Sequence, residues 1–455
     1  MNIVILGAGN VGVGIANHLA SSENDITIVD SDRRRLNMIG NILDVRPVIG
    51  FASHPSTLEK AGAADADVLI AVTNIDEINL VACEVAHSLF GIETKIARVR
   101  QQDYVAEKYR LALFQPQNLS VDYIISPEIE IAQSISKSTQ VYGTSDVVDL
   151  DERVRLVKVR CPDASPIVNV PLRIFTNLYP HLPISIAAIQ RAEQTIIPSM
   201  DDVILANDQL SILLNASQVR DVMTALGYTE QFRRRVAIAG GGGIGLALAK
   251  EIEQLSADIQ LKIIDNNLSE SELDPRVFAH AELIKGNPLN EDILFEAGIH
   301  DCDTFISVTP DDNINVVATL LAKYHGVKRG ISLLNNARNS QFVLSLGIDS
   351  IVNQNAITVS SVLRSIRQHK IRSLYAIDGE VEILGIHVNA SSNIIGLSID
   401  DISISHRVLV AVLKRGDEVY LSPRNFTISV DDYVILAVNK AVIHKIEKLV
   451  TVKFA

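Results

Sequence analysis

Two stretches of this chain carry glycines at the spacing that holding a phosphate requires. Gly7, Gly9 and Gly12 in GAGNVG, and Gly240, Gly242 and Gly245 in GGGGIG, both read G-x-G-x-x-G. In that pattern the first glycine permits a tight turn. The second lets a pyrophosphate approach the backbone, and the third lets a helix pack closely on a strand. The helix that follows offers free N–H groups and the positive end of its dipole to the phosphates. An acidic residue follows each motif, Asp30 after Gly12 and Asp265 after Gly245. A carboxylate there accepts hydrogen bonds from the ribose 2′- and 3′-hydroxyls and repels a 2′-phosphate, so NAD is expected in preference to NADP.

The elements that must position these residues are legible around them. IVIL from Ile3 reads as a strand. Val11, Ile15 and Leu19 form an apolar row at helical spacing, and ITIVD reads as a second strand closed by Asp30. A polar helix from Ser31, a strand at Arg46 to Ile49 and a short helix stopping at Gly62 come next. The strand Asp67 to Val72 leads into Thr73 and Asn74. The helix DEINLVACEVAHSLFG then puts Ile78, Val81, Ala82, Val85 and Leu89 on one face. KIARVR, ending in Arg98 and Arg100, and VDYIIS from Val121 complete six strands. Apolar strands alternating with helices predict a doubly wound parallel α/β sheet, with ligands at the carboxyl ends of its strands. The first glycine motif, Asp30, Ser53, Thr73 and Arg98 all fall at such ends. Arg98 and Arg100 read either as an exposed strand end or as a phosphate contact, for which Arg98, closer to the body of the sheet, is the better candidate. Beyond residue 140 the runs VRLVKVR, ISIAAIQR, TIIP and QLSILL predict a small, mainly β lobe, with a terminal helix stopping at Gly227.

The whole arrangement then repeats. EKAGAADADVLIAVTNIDEINLVA from Glu59 matches FEAGIHDCDTFISVTPDDNINVVA from Phe295, which pairs Thr73 with Thr309. AAIQRAEQTIIP in the first small lobe matches VAVLKRGDEVYLSP from Val410. The 455 residues therefore predict two tandem copies, each a dinucleotide-binding domain followed by a β-rich lobe: 1–138 with 140–228, and 233–371 with 373–455. A net charge of -13 argues against nucleic acid as a partner. Three scattered cysteines, Cys83, Cys161 and Cys302, suggest no disulfide framework and fit a reducing compartment. An opening directly into a strand predicts no signal peptide, and no apolar run is long enough for a transmembrane helix. A soluble, intracellular protein is the expectation.

Catalytic groups are not apparent. His181 reads as a loop residue, and His387 and His406 as structural or surface residues beside β runs. Asp65 and Asp67 read as solvated turn residues, and Asp311 with Asp312 as a helix cap. There is no H-E-x-x-H, G-x-S-x-G or Walker A lysine motif and no metal-ligand set. The fold permits an NAD-dependent oxidoreductase with an unidentified substrate, and also a nucleotide-independent scaffold.

GAGNVG, IVD, LEKAGAADADVLIAVTNIDEINLVA and IARVR, with the tandem order of lobes, resemble the RCK (KTN) family, the regulators of potassium conductance. The resemblance covers nearly the whole chain. It implies no enzymatic activity. It implies a cytoplasmic regulator, peripheral on the inner face of the cell inner membrane, that assembles as a homo-oligomeric gating ring. Its partner would be a membrane-embedded potassium-translocating subunit. NAD(H) and ATP or ADP are the implied ligands. In the first copy the phosphates fall on Gly7, Ala8, Gly9, Asn10, Val11 and Gly12, the ribose on Asp30 and the adenine side near Ala52 and Ser53, with Thr73, Asn74 and Arg98 nearby. In the second copy Gly240, Gly241, Gly242, Gly243, Ile244, Gly245, Asp265 and Thr309 correspond. Phe51 and Asn287 stand where many members carry aspartate after glycine. Pro310 replaces Asn74, Gly243 replaces Asn10, and only Lys328 and Arg329, before the strand, stand in for Arg98.

Overall fold

In a computed structural model of the chain, residues 1–450 are described except 21–23, 116, 142, 193, 229–234, 256–258, 268–276, 336–339, 367–370, 378–379 and 405. The domain limits expected at 233 and 455 lie outside the described residues. The first sheet contains β1 (Asn2–Leu6), β2 (Asp25–Asp30), β3 (Arg46–Ile49), β4 (Val68–Ala71), β5 (Thr94–Arg98) and β6 (Tyr123–Ile125). It runs β3-β2-β1-β4-β5-β6 with every neighbour parallel. Successive side chains alternate between faces. Ile3, Ile5, Ile28 and Ile70 meet Val11, Ile15 and Leu19 on one side. Val4, Leu6 and Leu69 meet Leu80, Cys83 and Ala86 on the other. Both faces are covered, which is why these strands read as continuous apolar runs.

A five-stranded antiparallel sheet follows: β7 (Thr144–Asp149), β8 (Val154–Arg160), β9 (Ile184–Arg191), β10 (Gln194–Ile196) and β11 (Gln209–Asn215), in the order β10-β9-β11-β8-β7. The third sheet repeats the first with β12 (Arg235–Ala239), β13 (Gln260–Asp265), β14 (Ala281–Lys285), β15 (Thr304–Ser307), β16 (Arg329–Leu334) and β17 (Ser350–Asn353), ordered β14-β13-β12-β15-β16-β17. The fourth holds β18 (Ile371–Ile377), β19 (Val381–His387), β20 (Val408–Arg415), β21 (Glu418–Leu421) and β22 (Tyr433–Asn439), ordered β18-β19-β22-β20-β21. The α/β architecture expected from the sequence is the one observed.

Three features were not legible in the local pattern. Helices Pro127–Gln140 and Gln354–Ile366 follow the last strand of each parallel sheet, and β7 opens the first small lobe. The apolar row expected on helix Asp76–Phe90 is split: Ala82 is buried and Ile78 and Val85 are half-buried against the core, beside Leu80, Cys83 and Ala86, whereas Val81 and Leu89 are exposed. The chain also divides into two compact units that do not follow its two halves. One unit contains Met1–Glu130, Asn355–Ile395 and Val438–Ala455; the other contains Ile131–Gln354 and Gly396–Ala437. In the first unit Val359, Val362, Leu363 and Ile366 complete the core over β1 and the helix Asn10–Leu19.

Candidate functional site

The strand order of the first sheet reverses between β1 and β4, and a cleft of about 210 Å³ lies at their carboxyl ends. Gly7, Gly9, Asp30, Ala52, Thr73 and Asn74 line it, together with Arg35, Phe51 and Ile75. Ala8, Asn10, Val11 and Gly12 form the turn and the first turn of the helix Asn10–Leu19 behind it. Ser53 and Arg98 do not line the cleft; Arg98 is the last residue of β5, one strand farther along the sheet.

The glycines act as their spacing predicts. Gly7 has φ +107°, and a side chain at Gly12 would stand 1.9 Å from the Gly7 carbonyl oxygen. A side chain at Gly9 would meet nothing within 4 Å. That open space at a helix N-terminus fits a pyrophosphate. The Ala8 N–H donates to Asp30 Oδ2 (2.7 Å) and the Asp32 N–H to Asp30 Oδ1 (2.8 Å). Asp30 therefore locks the glycine turn to β2, and each oxygen keeps a lone pair for a ribose hydroxyl.

Thr73 is held by Asn79, a residue the motif reading passed over. Asn79 Oδ1 accepts from the Thr73 N–H (2.9 Å) and hydroxyl (2.7 Å), and its amide donates to the Thr73 and Arg98 carbonyls (3.2 and 2.9 Å). Asp76 Oδ2 accepts from the Arg100 and Gln101 N–H groups (2.8 and 2.7 Å), closing the loop after β5. Both side chains belong to the DEIN segment, and the signal was its recurrence as DNIN.

The second copy rebuilds these bonds. Gly240 has φ +111°, and a side chain at Gly245 would stand 1.8 Å from the Gly240 carbonyl oxygen. The Gly241 N–H donates to Asp265 Oδ2 (2.7 Å). Asn315 accepts from the Thr309 N–H and hydroxyl (2.8 and 2.7 Å) and donates to the carbonyls of Thr309 and Leu333 (2.9 and 3.0 Å). Gly242 also opens onto free space, and Gly243 and Ile244 begin the helix Gly243–Leu255. Asp311 caps the next helix, accepting from the Asn313 and Ile314 N–H groups (2.8 and 3.2 Å), as its sequence position predicts.

The copies differ in charge. The Asn79 and Asn315 bonds equate Arg98 with Leu333. Arg329 lies at the opposite end of β16, buried, donating to the carbonyls of Ser138 and Thr144. It cannot replace Arg98. Arg98 is 8% exposed, and its Nε has no hydrogen-bond partner among the described residues. Burial, reinforced by Arg100, lowers its affinity for the proton, against the opposing charges of Glu128 and Asp76.

The three cysteines are buried and free; burial pushes the Cys83 and Cys161 thiols up and the Cys302 thiol to about 12, away from thiolate chemistry. Among the described residues no three or more His, Cys, Asp or Glu side chains are grouped to hold a metal ion, and no helix is long and apolar enough to cross a membrane.

The fold and the two glycine turns together define a tandem dinucleotide-fold protein with two small lobes. The TrkA-N domain matches residues 3–127 and 236–354, and the TrkA-C domain matches 383–451. The Trk system potassium uptake protein TrkA of Azorhizobium caulinodans is 36% identical over 99% of this chain and 98% of its own length. That of Halomonas elongata is also 36% identical, at the same coverage. The chain belongs to the TrkA family, a family of potassium uptake proteins and not of enzymes. Its fold matches the GsuK channel bound to NAD with a TM-score of 0.60 at 16% identity, over 96% of this chain and 76% of that one. A GsuK structure bound to ADP matches with a TM-score of 0.50 at 15% identity, over 79% and 68%.

Proposed function

We propose that this chain is the cytoplasmic, nucleotide-sensing regulatory subunit of a potassium uptake system. It binds NAD(H), ATP or ADP at the ends of β1 and β4 and assembles with copies of itself into a ring. The ring gates a membrane-embedded, potassium-translocating subunit of the Trk type, to which it docks on the inner face of the cell membrane. Each copy works as a nucleotide lobe with a small regulatory lobe, 1–138 with 140–228 and 233–371 with 373–455. The observation that carries this reading is the twice-built cradle: an open glycine turn tied to an acid, beside a threonine fixed by a buried asparagine.

The chain's residues divide the work. Gly7 to Gly12 bind the phosphates on free N–H groups, Asp30 takes the ribose, and Ala52 and Ser53 flank the base. Phe51, replacing the carboxylate that many members carry, offers a ring face at the cleft wall for stacking. Thr73 and Asn74 close the far wall, and Arg98 meets phosphates that extend toward β5. In the second copy Gly240 to Gly245, Asp265 and Thr309 make the same cradle. With Leu333 in place of Arg98 that cradle is poorer in charge, so the first site is the better one for a triphosphate. A nucleotide moves the ring only by its difference in affinity for two arrangements, typically about 1–3 kcal/mol of coupling.

Calorimetric titration with ATP, ADP, NADH and NAD tests this on the wild type and on Arg98→Leu, which installs the second copy's residue. We expect ATP affinity at the first site to fall about 10-fold or more, the scale of a charged hydrogen bond, with NADH affected less. Asp30→Asn should weaken all four. No saturable binding of any nucleotide to the wild type would overturn the reading, as would consumption of NADH by a substrate.

A further inference from the structure

A second cavity lies away from the glycine cradles, within the unit that contains the first small lobe and residues Gly396–Ala437. Its volume is about 530 Å³, inside the range of roughly 300–1,000 Å³ typical of small-molecule sites. Phe175, Ile186 and Met200 form the wall from the first small lobe, and Ile404, Val408 and Val410 form the wall from the second. We propose that this cavity binds an amphipathic monoanion: an aliphatic body carrying a single carboxylate.

The two walls are related by the duplication but differ in charge. The pair Arg191–Asp208 in the first lobe, an exposed guanidinium on a buried carboxylate, recurs as Arg415–Asp432 in the second. In that register Met200 corresponds to Arg424, and Leu182 to His406. The second lobe therefore brings polar groups to positions where the first brings apolar ones, and the cavity has an oily side and a charged side. His406 is already engaged, its Nδ1 3.2 Å from the Ile197 carbonyl oxygen and 3.7 Å from Asp202 Oδ2. The Ser422 hydroxyl donates to the Ile184 carbonyl (3.1 Å). Arg424 and Asn425 line the same rim and have no partner among the described residues. A guanidinium and an amide together suit a carboxylate oxygen pair. Asp400 on the same lining opposes a second negative charge, which limits the head to one.

Three non-glycine residues of this rim hold positive φ: His406 at +59°, Ser422 at +45° and Asn425 at +59°. Such strained backbone is concentrated at binding sites. The apolar wall supplies affinity in proportion to the aliphatic surface it covers, and the Arg424 end supplies orientation. The inference stands apart from nucleotide binding, since no residue of this cavity belongs to the glycine cradles.

Titration of the full chain with decanoate and with 1-decanol, which shares the body and lacks the charge, tests it. We expect one saturable decanoate site and binding of decanol at least tenfold weaker. Arg424→Gln should lose at least tenfold in decanoate affinity and little in decanol affinity. Met200→Trp, which fills the oily side, should abolish both, while its ATP titration and circular dichroism melt stay those of the wild type. The proposal is overturned by unsaturable, multi-site decanoate uptake, by equal affinity for decanoate and decanol, or by undiminished decanoate binding in Arg424→Gln. If Met200→Trp does not fold, the Arg424→Gln arm decides alone.

Discussion

At the residue scale, the third glycine of each motif is the least replaceable. A Cβ at Gly12 has 1.9 Å to a backbone oxygen that belongs to the turn itself, so neither partner can give way cheaply. Gly12→Ala is expected to cost about 1–3 kcal/mol by overpacking and to open the turn that Asp30 locks. Thermal denaturation should show the loss, and calorimetry should show nucleotide binding weakened at the first copy. Asn79 is the complementary case. It is fully buried and serves four backbone and hydroxyl groups, so Asn79→Ala leaves several of them without a partner. A loss of at least about 1–3 kcal/mol follows, measurable by urea titration. The glycines and acids were readable in the sequence because spacing alone defines their geometry. Asn79 was marked only by the recurrence of DEIN as DNIN, because an asparagine in a helix has no period of its own; its meaning comes from the β5 carbonyl that it reaches.

At the element scale, each small lobe is pinned by an Arg–Asp pair between its antiparallel strands and the following turn. Arg415 Nε and a terminal nitrogen donate to Asp432 at 2.8 Å each, and the Ser429 N–H donates to the same carboxylate at 2.8 Å. Burial alone would raise the Asp432 carboxyl, but the Arg415 hydrogen bond, the Ser429 amide and the guanidinium charge outweigh it and hold the carboxyl below its ordinary range. A lowered pKa in the folded state adds stability above the unfolded value of about 3.9, lost as pH falls through the folded one. Acid melts should therefore show the wild type losing stability below about pH 4, and Asp432→Asn losing less over the same interval from a lower start. The β runs of these lobes were legible. The helix Leu172–Leu178 and strand β7 were not: their apolar residues are too few and too irregularly spaced to show a period.

At the scale of the whole molecule, the duplication predicted two copies, and the sheets repeat as it required. The grouping of segments into units was hidden, because the helix Gln354–Ile366 packs on segments more than 200 residues earlier and no local pattern records such a pairing. The two exposed apolar residues of helix Asp76–Phe90 bear on assembly. Val81 is 48% and Leu89 61% exposed, on a helix whose inner face is already filled. Exposed apolar patches mark interaction surfaces. If copies of the chain meet there, Val81→Glu with Leu89→Glu should shift the light-scattering mass toward the monomer while nucleotide titration stays unchanged. An unaltered mass would place the ring contact elsewhere.

The late arrival of Val359, Val362, Leu363 and Ile366 has a consequence in time. The core around β1 and the helix Asn10–Leu19 is closed by residues synthesised long after it. At roughly 5–20 residues per second, a nascent chain holds the part of this core that the helix Gln354–Ile366 will cover open for on the order of tens of seconds. During that interval the growing polypeptide presents a broad sticky surface beside the ribosome, and its yield in the cell becomes a matter of what shelters that surface until the missing helix emerges.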